Sequence, residues 1–244
     1  MPRLALVVAT CMCWGSSSLE DTLPVPTPPQ LEYQRHEISA LIHFNMATFA
    51  ENGDPGCNAK NWNKLAPPAT GPTSDPVTFN PVKLNISNWA ESMLALGAKH
   101  AVLTAKHGCG YLLWPTKTRL PDGSEFTYCV GKERSAIKRD VIREFSDTMR
   151  QHGIGYGYYY SLGSNFHFDV KGMKVQNSSL LPGQVRLTQE QFEAISLAQV
   201  AELWSNYGPL TEIWFDGGYQ SSLKGRLVEM LRRMQPNATG FGGQ

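Results

Sequence analysis

Charge is scarce in this chain. Only 18% of its 244 residues are charged, and 22 cations against 21 anions leave a formal net charge of +1. A polyanion would find no basic footprint, so nucleic acid and acidic membrane surfaces drop out as expected partners. Long apolar runs are missing as well. The stretch Leu4 to Trp14 falls short of the roughly 20 residues that span a bilayer, and no later segment approaches that length. Cysteines number five, and no two of Cys57, Cys109 and Cys129 stand at metal-ligand spacing. No Gly-rich phosphate loop follows the first strand-like segment, which weighs against nucleotide chemistry. A neutral ligand remains, with neither metal nor cofactor expected.

The amino terminus has the layout of an export leader. Arg3 precedes the apolar run and the small residues Gly15 to Ser18 follow it, in the order of a positive region, an h-region and a cleavage zone. Residues 1–18 are therefore expected to be a signal peptide, directing the protein to a secreted or lysosomal destination. With Cys11 and Cys13 lost in the leader, this reading pairs Cys57 with Cys129 and leaves Cys109 as a free thiol. Asn85, Asn177 and Asn237 each open an N-x-S/T sequon, a glycan acceptor in a secretory protein. Residues 19–30, which hold Leu23-Pro24-Val25-Pro26-Thr27-Pro28-Pro29, read as a proline-rich arm too stiff for helix or strand. Residues 31–244 are the expected folded domain.

Within that domain a helix–glycine–strand beat repeats. Ile38 to Phe44 is strand-like. Ile86 to Leu96 is helix-like, with Trp89, Met93, Leu94 and Leu96 expected on one side and Gly97 as its stop, and Ala98 to Ala105 is the second strand. From Ala136 to His152, the residues Ile137, Val141, Ile142, Phe145 and Met149 recur at helical spacing before Gly153, and Ile154 to Ser161 is the third strand. Thr188 with Gln191 makes a capping box for a helix running to Tyr207 and closed by Gly208. The strand ending at Asp216 follows, then a helix from Leu223 to Met234 and a fifth strand from Ala238 to Gly242. This alternation predicts parallel βαβ units. The fold class is α/β, with an incomplete (β/α)8-like TIM barrel of about five units as the leading architecture, because a full barrel takes about 250 residues. A five-stranded doubly wound sheet is the alternative.

Strand ends carry the chemistry. Thr211-Glu212-Ile213-Trp214-Phe215-Asp216-Gly217-Gly218 is a short apolar strand delivering a carboxylate, and such an end points into the mouth where ligands sit. A buried carboxylate is costly without a partner or a role. The first strand ends at His43 and the second at Lys106-His107, so two imidazoles would converge on Asp216. Trp62, Trp114, Tyr159, Tyr160 and Trp214 surround them, and aromatic faces beside neutral donors and acceptors suit a sugar ring.

At this point the sequence resembles the α-L-fucosidases of glycoside hydrolase family 29. The matching stretches are His43-Phe44-Asn45 with Thr48-Phe49, Phe79-Asn80-Pro81, Trp89 through Gly97, and Leu103-Thr104-Ala105-Lys106-His107. They continue with Gly110-Tyr111, Leu113-Trp114-Pro115, Arg139-Asp140-Val141, Tyr159-Tyr160-Ser161 and Glu212-Ile213-Trp214-Phe215-Asp216-Gly217. The resemblance implies a retaining exo-glycosidase that releases terminal α-L-fucose from glycans. It implies Asp216 as nucleophile, His43, His107 and Tyr160 as sugar-binding residues, and Trp62 and Trp214 as wall. The implied fold is a (β/α)8-like barrel followed by a C-terminal β-sandwich that this chain lacks. Fucosylated glycans are the implied partners, and homo-oligomerisation of a full-length form is left open.

Two departures qualify the match. Where the family usually reads Lys-His-His-Asp-Gly-Phe, this chain reads Lys106-His107-Gly108-Cys109-Gly110-Tyr111. The family's general acid/base carboxylate is expected beyond Gln244, and nothing singles out Glu51 or Glu125, which sit on suitable loops. A fucose-binding protein without catalysis is therefore the runner-up. A metal-dependent hydrolase built on His43, His107 and Asp216 is a third reading, disfavoured because no element carries paired histidines.

Overall fold

A computed structural model describes residues 25–49, 79–177, 180–181 and 183–242. The chain opens with α1 (Pro28–Arg35) and β1 (Ser39–Ile42), followed by α2 (Ile86–Leu96), β2 (His100–Lys106), α3 (Val141–Gln151) and β3 (Gly155–Tyr160). Three two-residue strands come next: β4 (Ser164–Asn165), β5 (Val170–Lys171) and β6 (Lys174–Val175). Then follow α4 (Gln189–Asn206), β7 (Glu212–Trp214), α5 (Lys224–Met234) and β8 (Thr239–Phe241).

The fold is mixed α/β around a five-stranded parallel sheet in the order β1-β2-β3-β7-β8. Chain order and spatial order coincide. A doubly wound sheet reverses its strand order at a switch point, so that alternative is ruled out. The strands β4, β5 and β6 form a small antiparallel sheet immediately after β3.

Local chemistry sets most of the boundaries. Asn85 caps α2 by accepting from the Asn88 N–H at 3.1 Å, and Gly97 ends it in the left-handed region at φ 85°. Thr188 caps α4 by accepting from Gln191 N at 3.2 Å, while the Gln191 side chain accepts from Thr188 N at 2.8 Å. The helix expected from Ala136 starts only at Val141, because Asp140 takes the N-cap position and accepts from Arg143 N at 2.9 Å. Its inner face holds Val141, Ile142, Phe145 and Met149, all fully buried, each burial stabilising by about 1.5–3 kcal/mol.

Three further expectations need correction. The arm drawn over residues 19–30 ends in a helix: Pro28 and Pro29 occupy the first turn of α1, where a missing N–H costs nothing. In α2 the buried residues are Ile86, Ala90 and Met93, whereas Leu94 and Leu96 are exposed. Their spacing fits the neighbouring helix face equally well, and packing decides between them. Residues 1–18, Cys57, Glu51 and Trp62 lie outside the described residues. Cys109 is disulfide-bonded and Cys129 is a buried free thiol, so the expected Cys57–Cys129 pairing does not hold. Among the described residues, no helix is long and apolar enough to cross a membrane.

Candidate active site

Parallel strands alternate their side chains between two faces, and in β3 the alternation sorts the tyrosines. Tyr156, Tyr158 and Tyr160 face the helices: Tyr156 O–H donates to Tyr207 O at 2.6 Å, Tyr158 meets Ser146, and Tyr160 O–H donates to Gln199 of α4 at 2.6 Å. Tyr159 faces the other way. Its hydroxyl donates to Asp216 Oδ2 at 3.0 Å. The tyrosine expected at the mouth, Tyr160, is therefore on the wrong side of the sheet, and its neighbour stands in its place.

Histidine placement depends on an irregularity in β2. Thr104 pairs with Tyr159 while Lys106 pairs with Tyr160, so Ala105 is an extra residue in the register. A bulge of this kind re-aims the side chains beyond it. Lys106 is carried to the helix side, where it lies 4.5 Å from the Tyr160 ring centroid and donates to the carbonyls of Ser161 and Ser164. His107 is carried to the side of Tyr159. Its ring centroid stands 5.6 Å from Tyr159 and 5.2 Å from His43, and His43 is 5.8 Å from Tyr159. Trp214 stacks on Tyr159 at 6.3 Å and 21°. His43, His107, Tyr159, Trp214 and Asp216 thus share one mouth at the C-terminal ends of four parallel strands.

Exposure divides that mouth into a floor and a rim. Tyr159 is buried and His107 half-buried, whereas His43 and Asp216 are exposed. Burial first, and then the Asp216 charge, push the Tyr159 hydroxyl well above its ordinary range, so it stays a phenol and a donor. Beneath the sheet, burial lowers the Lys106 ammonium to about 7. A protonated Lys106 pins the turn after β3 through two carbonyls. Gly110, at φ +87°, lies against Asn165, where a Cβ would come within 2.2 Å of Oδ1, so the loop after β2 can pass β4 only as glycine. At Gly108 a Cβ would meet only the Ser164 Cβ, at an ordinary 3.5 Å.

Several nearby candidates lie elsewhere. Trp114 is buried, its indole N–H donating to Glu202 of α4 at 2.7 Å. Glu125 is an exposed carboxylate held by Lys132 at 3.2 Å. Among the described residues, no three His, Cys, Asp or Glu side chains are grouped to hold a metal ion. A cleft of about 850 Å³ opens at the opposite end of the sheet, between α1 and the strand starts, and none of the mouth residues lines it. Glu212, missed in the sequence, lies on the site face. Its position two residues before Trp214 and four before Asp216 was the signal.

Known proteins resemble this chain over most of its length. A family model described as alpha-L-fucosidase matches residues 43–240. Alpha-L-fucosidase 1 of Arabidopsis thaliana is 26% identical over 225 residues, covering 90% of this chain and 37% of the relative. Human plasma alpha-L-fucosidase is 31% identical over 134 residues, 54% of this chain and 25% of that protein. This chain therefore spans about a third of the length of such relatives. A crystal structure of a glycoside hydrolase 29 family member from a rumen bacterium superposes with a TM-score of 0.64 at 26% identity, over 89% of this chain and 36% of that one. Alpha-L-fucosidase AlfC from Lactobacillus casei, in complex with its fucose product, shares the fold at 20% identity and a TM-score of 0.66, over 86% of this chain and 68% of that one. With the model match spanning most of the described mouth and sheet, this chain belongs to the alpha-L-fucosidase family.

Proposed function

We propose that this chain serves the release of terminal α-L-fucose from fucosylated glycans by a retaining mechanism, with Asp216 as nucleophile. One observation carries the reading: a carboxylate at a strand end, held by a buried phenol, with two imidazoles within one sugar's reach of that phenol. Tyr159 occupies Oδ2 of Asp216, which leaves the other oxygen to attack the anomeric carbon. The bond to the leaving oxygen breaks as the ester to Asp216 forms, and water then hydrolyses the ester. His43 and His107 offer donor and acceptor nitrogens to the ring hydroxyls, and Trp214 backs the phenol.

A retaining reaction also needs a second carboxyl about 5–5.5 Å from the first. Glu125 is engaged by Lys132 at the surface, so it is not assigned that role. The chain-ordered parallel sheet supports reading these five units as part of a (β/α)8-like barrel. The leader-like residues 1–18 support export, to the cell exterior or the lysosome.

The test is turnover of an aryl α-L-fucoside, whose good leaving group needs little protonation. Asp216→Gly should lower turnover by several hundredfold, and a loss below tenfold overturns the assignment. A specific departure favours one other reading, fucose binding without catalysis. Cys109 sits in a disulfide where the family has aspartate, and Gly108 offers no imidazole. Fucose binding by calorimetry with no turnover would select that reading.

A further inference from the structure

The strand that delivers Asp216 carries another carboxylate on the same face. Glu212 is 2% exposed, and both of its oxygens are engaged. Oε1 accepts from the indole N–H of Trp214 at 2.6 Å and from the Tyr33 hydroxyl of α1 at 3.1 Å. Oε2 lies 2.8 Å from His100 Nε2, and His100 Nδ1 lies 2.9 Å from His36 Nδ1. Trp214 has a single N–H, so the bond to Glu212 fixes the rotation of its ring. That ring is sandwiched, with Phe241 at 4.0 Å and 19° on one side and Tyr159 at 6.3 Å and 21° on the other. Tyr159 in turn donates to Asp216.

We propose that Glu212 is a positioning residue for the mouth: by holding the Trp214 indole it sets the plane against which Tyr159 packs, and so the direction from which Tyr159 reaches Asp216. Core filling does not require a carboxylate here. A buried charge and its partners are often replaced by apolar groups at no net cost, whereas an apolar side chain could not orient an indole through its N–H. The proposal rests on reading the mouth as a fucose site.

Four variants of the full chain test it, with the Trp214 indole resonance recorded without ligand and L-fucose affinity measured by calorimetry. Glu212→Gln keeps an acceptor oxygen, so the resonance should stay in place and affinity should fall less than threefold. Glu212→Met removes the acceptor, so the resonance should move and affinity should fall at least tenfold. Tyr33→Phe removes a donor to the same oxygen without touching Trp214, and should leave both readouts unchanged. Equal fucose affinity in Glu212→Met and the unaltered chain overturns the proposal. Should Glu212→Met fail to fold, Trp214→Phe decides, since unchanged affinity without the indole N–H overturns it too. An unaltered chain that binds no fucose sinks the sugar reading of the mouth, and the indole resonance in Glu212→Met still decides whether Glu212 holds Trp214.

Discussion

Removing the Glu202 carboxylate should loosen the segment that follows β2 without touching the mouth. Glu202 sits half-buried on α4 and draws several donors from that segment. Its Oε2 accepts from Trp114 Nε1 at 2.7 Å and from Thr116 Oγ1 at 2.6 Å. Its Oε1 accepts from the backbone N–H of Lys117 at 2.9 Å. Trp114 and Thr116 are each 1% exposed, so their donors have no water to turn to, whereas Lys117 is exposed. In Glu202→Ala the two buried donors are orphaned at about 1–3 kcal/mol each, a loss of about 2–6 kcal/mol. Glu202→Gln can still turn its carbonyl toward Trp114 and Thr116 and point its amide at the exposed side. It forfeits the charge assistance, about 1–3 kcal/mol over two bonds, and leaves the exposed Lys117 N–H to water. Urea unfolding should therefore rank wild type above Glu202→Gln above Glu202→Ala, with unchanged m-values. An alanine variant within 1 kcal/mol of wild type would refute the clamp.

Other outcomes follow from the same geometry. Tyr159→Phe should weaken L-fucose binding about tenfold, because the Asp216 carboxylate loses the donor that orients it. Tyr160→Phe should leave binding unchanged while lowering stability by about 1–3 kcal/mol, because it strands Gln199; calorimetry and urea unfolding separate the two. Lys106 has its pKa lowered from 10.5 to about 7 by burial. Between those values the unfolded chain holds a proton that the folded chain has released, so stability rises with pH across that window. The slope can reach about 1.4 kcal/mol per pH unit, and Lys106→Met should flatten it. Cys129, whose thiol burial pushes up to about 12, should resist iodoacetamide in the folded chain and react on unfolding.

Much of the sheet was legible because helix, glycine and strand alternate with clear punctuation. Thr188 with Gln191 and the left-handed Gly97 mark helix ends by chemistry that acts within one turn. Asp216 and the two histidines were legible for a related reason: a polar residue that ends an apolar strand must face either the mouth or a partner. Choosing between Tyr159 and Tyr160 was a different matter. Consecutive tyrosines carry no alternation, and their faces depend on the β2 bulge and on Gln199 from a helix 39 residues away. Glu202 reads as an ordinary helix-surface acid until the loop from Trp114 folds onto it. The two-residue strands β4, β5 and β6 are too short to leave a period. Cys109 could be identified as the bonded thiol only from the folded chain.

The most direct measurement is covalent trapping. A 2-fluoro fucosyl fluoride, whose ring fluorine slows hydrolysis of the ester, would be incubated with the chain, and the digest read by mass spectrometry. The label should fall on the peptide bearing Asp216 and vanish in Asp216→Asn. A label on another carboxylate, or none while aryl fucoside is still turned over, would contradict the account.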